Sequence, residues 1–205
     1  MTEGATSGAL EAIVLAGGAG SRFGGRKLTA PWRGGALIDG ALAAAFAAPV
    51  RAVTVVTGAD DQVAAAAAAF AERAGHVDRL RVIHCFDHAE GMGATLRAGV
   101  SALPPDTAGA FVFLADMPLA PAAILPALAG AIEAGASAAA PVFEGKRGHP
   151  VLFAAALLPE LAALSGDEGA RRVLQGLGEA LVLVPTDDAG VLADVDRPTD
   201  LDRLR

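Results

Sequence analysis

The sequence predicts a single Rossmann-like, three-layer α/β domain with a mostly parallel sheet. Short apolar runs rich in β-branched residues alternate with helical stretches along the whole chain, the pattern of parallel strands covered on both faces. The first run, residues 12–15, is apolar at every position and stops at glycines, as a strand buried on both sides does. No linker and no repeat of fixed period interrupts the 205 residues, a length that suits one ordinary core. Residues 1–10 read as a flexible lead-in to a domain spanning 1–205.

After that strand a glycine-rich loop runs to Arg26, and a helix spans 37–48 until Pro49 stops it. Residues 52–57 form the second strand. Asp60 or Asp61 caps an alanine-rich helix that Gly75 ends. The third strand covers 80–85, a helix lies over 95–103, and the fourth strand, 110–114, runs straight to Asp116. A helix over 124–134 ends at Gly135. Strands at 138–143 and 150–153, helices at 157–164 and 167–175, and a strand at 181–184 complete the alternation. Ser165 and Glu168 fit a capping box. In such sheets ligands bind beyond the carboxyl ends of the strands, so the chemistry belongs in the loops that follow them.

Composition narrows the partners. A net charge of −7 excludes a broad nucleic-acid surface, which needs a basic face. A local cluster of cations can still hold a small anion. No apolar stretch is long enough to span a bilayer, and no basic start precedes an apolar segment. Cys85 is the single cysteine, which rules out an intrachain disulfide and fits a reducing compartment; the expected location is cytoplasmic.

The loop from Leu15 to Leu28 holds five glycines and three cations, Arg22, Arg26 and Lys27, directly after a buried strand. Glycines there let the backbone wrap an anion and aim amides at it. Two common phosphate loops fail on spacing. A dinucleotide fingerprint starting at Gly18 and Gly20 meets Phe23 where its third glycine belongs. A Walker A loop over Gly20 to Gly25 meets Arg26 and Lys27 where Lys and Ser or Thr belong.

The second signature is Leu114-Ala115-Asp116-Met117-Pro118, a carboxylate at the mouth of a buried strand and well placed for a hard cation. The third is Asp194-Val195-Asp196-Arg197-Pro198-Thr199-Asp200-Leu201. Its first two acids, one residue apart, point the same way in an extended strand. Asp200 belongs to the first turn of the last helix, where it meets the helix dipole, and Asp187 and Asp188 form a solvated turn. His84, Cys85 and His88 match no metal spacing, because the first two point to opposite faces of a strand.

Taken with these motifs, the L-A-G-G-x-G-S-R-F-G-x-x-K-L pattern resembles the MobA-like NTP transferase family, the nucleotidyltransferases of molybdenum-cofactor and sugar-nucleotide synthesis. The likeness runs from Ala12 to Leu201. It implies a nucleotide-diphospho-sugar transferase type of fold and a Mg2+ cofactor. Leu15, Ala16, Gly17, Gly18, Gly20 and Ser21 would wrap the triphosphate, with Arg22 and Lys27 neutralising it. Asp116 would ligate the metal, with Asp196 the first choice and Asp194 the second for its partner. Gly91, Met92, Gly93 and Thr95 match the family's G-M-x-x-[ST]-L-R-x-G segment, which holds base and ribose, while Leu96 reads as core. Thr57 and Gly58 are placed near the base.

Arg147, Gly148 and His149 resemble the G-x-R-G-H-P-V stretch of the molybdenum-cofactor cytidylyltransferase subgroup, and Gly166 to Arg171 its G-D-x-G-A-R. They assign Arg147, Gly148, His149 and Arg171 to the acceptor, a molybdopterin whose dinucleotide product passes to a molybdoenzyme. The first motif favours GTP and the later ones CTP. A sugar-phosphate acceptor stays open. So do two other classes: a nicotinamide-dependent oxidoreductase, disfavoured by the failed glycine interval and the absence of tyrosine, and a non-catalytic cofactor chaperone, disfavoured by the retained acidic motifs.

Overall fold

A computed structural model of the chain describes residues 8–166 and 169–204. Its strands are β1 (Leu10–Ala16), β2 (Pro31–Trp32), β3 (Gly35–Ala36), β4 (Val53–Thr57), β5 (Leu80–His84), β6 (Gly109–Leu114), β7 (Ala138–Phe143), β8 (Lys146–Arg147), β9 (Val151–Ala154) and β10 (Leu181–Pro185). The helices are α1 (Ile38–Ala47), α2 (Val63–Ala74), α3 (Met92–Ser101), α4 (Leu125–Glu133), α5 (Leu158–Ala162), α6 (Arg171–Gly176) and α7 (Pro198–Arg203).

One eight-stranded sheet runs in the order β10-β7-β9-β6-β1-β4-β5, with β8 paired to β7, and β2 and β3 form a separate hairpin. β1 lies parallel to both β4 and β6, β4 to β5, and β7 to β10. β9 runs antiparallel to both of its neighbours. The sheet is therefore mostly parallel, and the chain departs from β1 in opposite directions to reach β4 and β6. That reversal opens a crevice at the carboxyl end of β1.

Alternation along the central strands sorts the core into two layers. Ala12, Val14 and Ala16 of β1, with Phe111 and Phe113 of β6, face α1, α2 and α4. Ile13, Leu15, Ala110 and Val112 face α3, α5 and α6. A third, small cluster joins Trp32, Leu37, Val195 and Leu201 and receives Phe23 of the glycine loop. It pins that loop to the C-terminal acidic segment.

Several boundaries moved. β1 begins at Leu10, and the Ala9 carbonyl accepts from the Ala108 amide, so the end of the expected flexible lead-in is tied into the sheet. Asp60, not Asp61, meets the start of α2, its Oδ1 accepting from the Gln62 amide at 3.0 Å. Helix α3 starts at Met92, before the expected Thr95. Helix α6 starts at Arg171. Glu168 of the expected capping box, and the expected helix start at Asp167, lie outside the described residues. The β2–β3 hairpin and β8 were not anticipated; two-residue strands leave no periodicity to read.

Gly99 lets α3 settle on the sheet. A Cβ there would stand 2.7 Å from Ile13 Cγ2 and 3.0 Å from Val56 Cγ2, both on stiff, buried side chains. Gly99→Val should therefore destabilise the fold by about 1–3 kcal/mol through overpacking. Urea unfolding of the two proteins checks this, and an unchanged midpoint would mean that α3 has room to spare.

Candidate active site

The carboxyl end of β1 leads into the glycine loop, where residues 21–23 form one 3-10 turn. The amides of Phe23, Gly24 and Gly25 fold back onto Gly20 and Ser21 carbonyls. Those of Gly18, Ala19 and Gly20 meet no acceptor among the described residues. Three successive free amides are an anion-binding feature.

Three loops converge here, and glycines permit it. A Cβ on Gly17 would lie 2.6 Å from Thr95 Oγ1, and one on Gly58 would lie 2.6 Å from the Gly17 carbonyl oxygen. The Ala59 amide donates to that same carbonyl at 3.2 Å, and the Gly93 amide to the Gly166 carbonyl at 2.8 Å. Gly17, Gly58, Gly91, Met92, Gly93 and Thr95 thus gather round one spot. Thr57 does not join them. It is buried, and its hydroxyl is engaged with the Ile83 carbonyl at 3.1 Å and His84 Nδ1 at 3.2 Å. Its side chain serves the β4–β5 pairing.

Asp116 follows β6 and is held by its neighbours: the Ala115 amide donates to the Leu15 carbonyl, and the Met117 amide to the Leu114 carbonyl. The Asp116 carbonyl accepts from the Val195 amide at 2.9 Å, which draws the C-terminal acids alongside. Val195 is buried, with Asp194 and Asp196 on either side. That segment follows a 3-10 turn, residues 189–192, and is not a strand as expected. Asp200 Oδ2 accepts from the Asp196 and Arg197 amides at 3.2 and 2.8 Å, fixing both the loop and the start of α7.

The charges converge. Lys27 Nζ lies 2.7 Å from Asp116 Oδ2 and 3.6 Å from Asp196 Oδ1, and Arg22 Nη1 lies 3.2 Å from Asp196 Oδ2. Asp194 makes no ion pair among the described residues but shares the field. Burial lifts its carboxyl above the ordinary range, and the charges of Asp196 and Asp116 push the same way, against its backbone amide and Lys27. The predicted catalytic and metal residues thus form one group. Two carboxylates are in contact with it, and no cluster of three or more His, Cys, Asp or Glu able to hold a metal exists among the described residues. Hard oxygens in that number suit a magnesium-type ion, which takes its remaining ligands from phosphate and water. His84 is exposed and Cys85 buried, on opposite faces as the strand periodicity predicts.

Beside this group opens a cavity of about 710 Å³ between β1, β6, β9, α3 and α6. Its floor is apolar: Leu15, Leu96, Val112, Leu114, Val151 and Phe153. Arg147, His149 and Arg171 line its walls with Arg172 and Gln175. Sequence reasoning missed the last two, although 171, 172 and 175 share one face of a helix. Gly148 is buried where a Cβ would lie 2.4 Å from the Val191 carbonyl oxygen. It lets the chain pass under Val191, while the His149 amide donates to that carbonyl at 2.9 Å.

Burial pushes the His149 imidazole down to about 4 from 6.5, against the pull of Asp116 and the Val112 carbonyl and with the help of Arg147. Its Nδ1 is buried without a hydrogen-bond partner. A depressed histidine stabilises the fold above its unfolded value and loses that contribution as pH falls from 6.5 toward 4. Melting of wild type should therefore decline more steeply over that window than melting of His149→Gln. Parallel declines would show that the ring is not held neutral.

Comparison with known proteins supports one assignment. Residues 12–181 match the MobA-like NTP transferase domain. Purine catabolism protein PucB of Bacillus subtilis is 31% identical over 94% of each chain, and a protein of Paenarthrobacter nicotinovorans named nicotine blue oxidoreductase is 30% identical over 94% of each. The molybdenum cofactor cytidylyltransferase of Escherichia coli is 26% identical, covering 94% of this chain and 93% of its own. Among solved structures, Rv0371c of Mycobacterium tuberculosis superposes with a TM-score of 0.79 at 23% identity, over 97% of this chain and 98% of its own. The manganese complex of that protein gives 0.75 at 25% identity, over 96% and 97%. The chain belongs to the MobA-like NTP transferase family and is a nucleotidyltransferase.

Proposed function

We propose that the chain is a Mg2+-dependent molybdenum cofactor cytidylyltransferase, moving CMP from CTP to the phosphate of a molybdopterin acceptor and releasing pyrophosphate. The observation that carries this is the meeting of Lys27 and Arg22 with Asp116 and Asp196 beside the free amides of Gly18 to Gly20. Oxygen on the acceptor phosphate forms the new bond to the α-phosphorus as the α–β phosphoanhydride bond breaks. That nucleophile is already an anion, so the site needs no strong base. What it must supply is alignment and neutralisation.

The glycine loop holds the triphosphate through its amides, and Arg22 and Lys27 meet charge developing on the leaving pyrophosphate. Magnesium held by Asp116 and Asp196 would supply Lewis-acid neutralisation of phosphate oxygens. The cavity supports a ring-bearing acceptor. Sugar hydroxyls set on a floor of leucine, valine and phenylalanine would lose their partners, whereas a flat ring lies on it and offers its anionic groups to Arg147 and Arg171. The product would pass to a molybdoenzyme.

Asp116→Asn should lower pyrophosphate release by about a hundredfold or more while the melting temperature stays within a few degrees. The amide keeps the shape and loses the charge. Near-normal turnover at limiting magnesium would remove Asp116 as the principal ligand.

Two other readings have an observation behind them: the Leu15-Ala16-Gly17-Gly18 start favours GTP, and one 30%-identical relative carries an oxidoreductase name. Thermal shift separates all three. CTP with magnesium should raise the melting temperature, more than GTP does, and chelation should abolish the gain, since a ligand bound only by the folded state stabilises it. A larger GTP shift changes the base alone. A metal-independent shift with NAD or NADP overturns the enzyme class.

A further inference from the structure

Two cations reach the acidic pair, and they do so differently. Arg22 meets one oxygen of Asp196 from solvent, with 75% of its side chain exposed. Lys27 is only 12% exposed, and its single ammonium approaches oxygens of both Asp116 and Asp196. The ammonium thus engages one oxygen of each carboxylate and cancels part of the negative charge that would draw a divalent ion to the pair. The two cations would therefore compete for it.

The geometry points to Lys27 as a built-in stand-in for the metal: it neutralises Asp116 and Asp196 until a triphosphate draws it away, and only then does the pair take up a divalent ion. This rests on the reading of Asp116 and Asp196 as metal ligands. Metal arriving alone must compete with an ammonium that is already paired, and to the extent that it wins it leaves that largely buried ammonium without its counter-charge, a costly arrangement. Triphosphate arriving first offers Lys27 a new anionic partner and releases the carboxylates. Every charge stays paired through that exchange. The loop that would hold the phosphates also touches the lysine, since a Cβ on Gly20 would stand 3.0 Å from Lys27 Cβ. Metal and nucleotide binding thereby become mutually dependent, and by linkage each strengthens the other equally.

The test is calorimetric titration of Mn2+ alone, without nucleotide, into folded protein. Wild type should bind weakly and Lys27→Met about tenfold more tightly or better. Lys27→Gln repeats the measurement should the methionine variant fail to fold. Lys27→Arg should stay as weak as wild type. Arg22→Met, which also removes a charge near Asp196, should change affinity by less than about threefold, because that pair is solvated. In Lys27→Met/Asp116→Asn the gain should vanish. No gain in Lys27→Met and Lys27→Gln, or an equal gain in Arg22→Met, overturns the stand-in role and leaves the metal ligands standing. A gain that survives Asp116→Asn overturns the ligand assignment as well.

Discussion

A backbone hydrogen bond, from the Val195 amide to the Asp116 carbonyl, governs the site. It joins the end of β6 to a segment far along the chain and so sets the separation of two carboxylates. Those carboxylates repel each other, and the arrangement holds because Lys27 lies between them. The apolar cluster of Trp32, Val195 and Leu201 beneath, which takes in Phe23, keeps the glycine loop and the acids in one frame. Charge of both signs is concentrated above this small core.

The same economy shapes the side where the ends of β1 and β4 meet the start of α3. Gly17, Gly58 and Gly93 occur where loops touch backbone to backbone or backbone to side chain, and a methyl group at any of them would force the loops apart. These glycines bring the ends of β1 and β4 and the start of α3 into contact with their neighbours more than they provide flexibility. Polar density on this side contrasts with the apolar floor of the neighbouring cavity, and the boundary between them runs along β1 and β6. Leu15 faces the cavity, and Gly17, two residues on, turns into the loop.

Relatives of similar identity carry names from purine catabolism, molybdenum-cofactor cytidylylation and the oxidation or reduction of nicotine blue. A fold carries many chemistries, which differ in the sites built on it. In this chain the wall of that cavity carries Arg147, His149, Arg171, Arg172 and Gln175, polar groups set over an apolar floor. His149 adds a buried, neutral ring to that wall, held so by burial among apolar neighbours.

The sequence by itself determined the layers and the loops. Continuous apolar runs can only be central strands, so β1, β4 and β6 and the loops after them were legible. Arg22, Lys27, Asp116 and Asp196 were singled out by the resemblance of their motifs to a known family. Tertiary structure decided what local pattern cannot carry. Thr57 sits at the right strand end, yet its hydroxyl is spent on Ile83 and His84, across the β4–β5 pairing. Gly148 lies within a binding motif but makes room for Val191. Arg172 and Gln175 became cavity walls only once α6 packed beside β1 and β9. Above all, that one lysine should meet both acids depends on a backbone hydrogen bond and a buried valine, contacts between segments whose distance in sequence hides their distance in space.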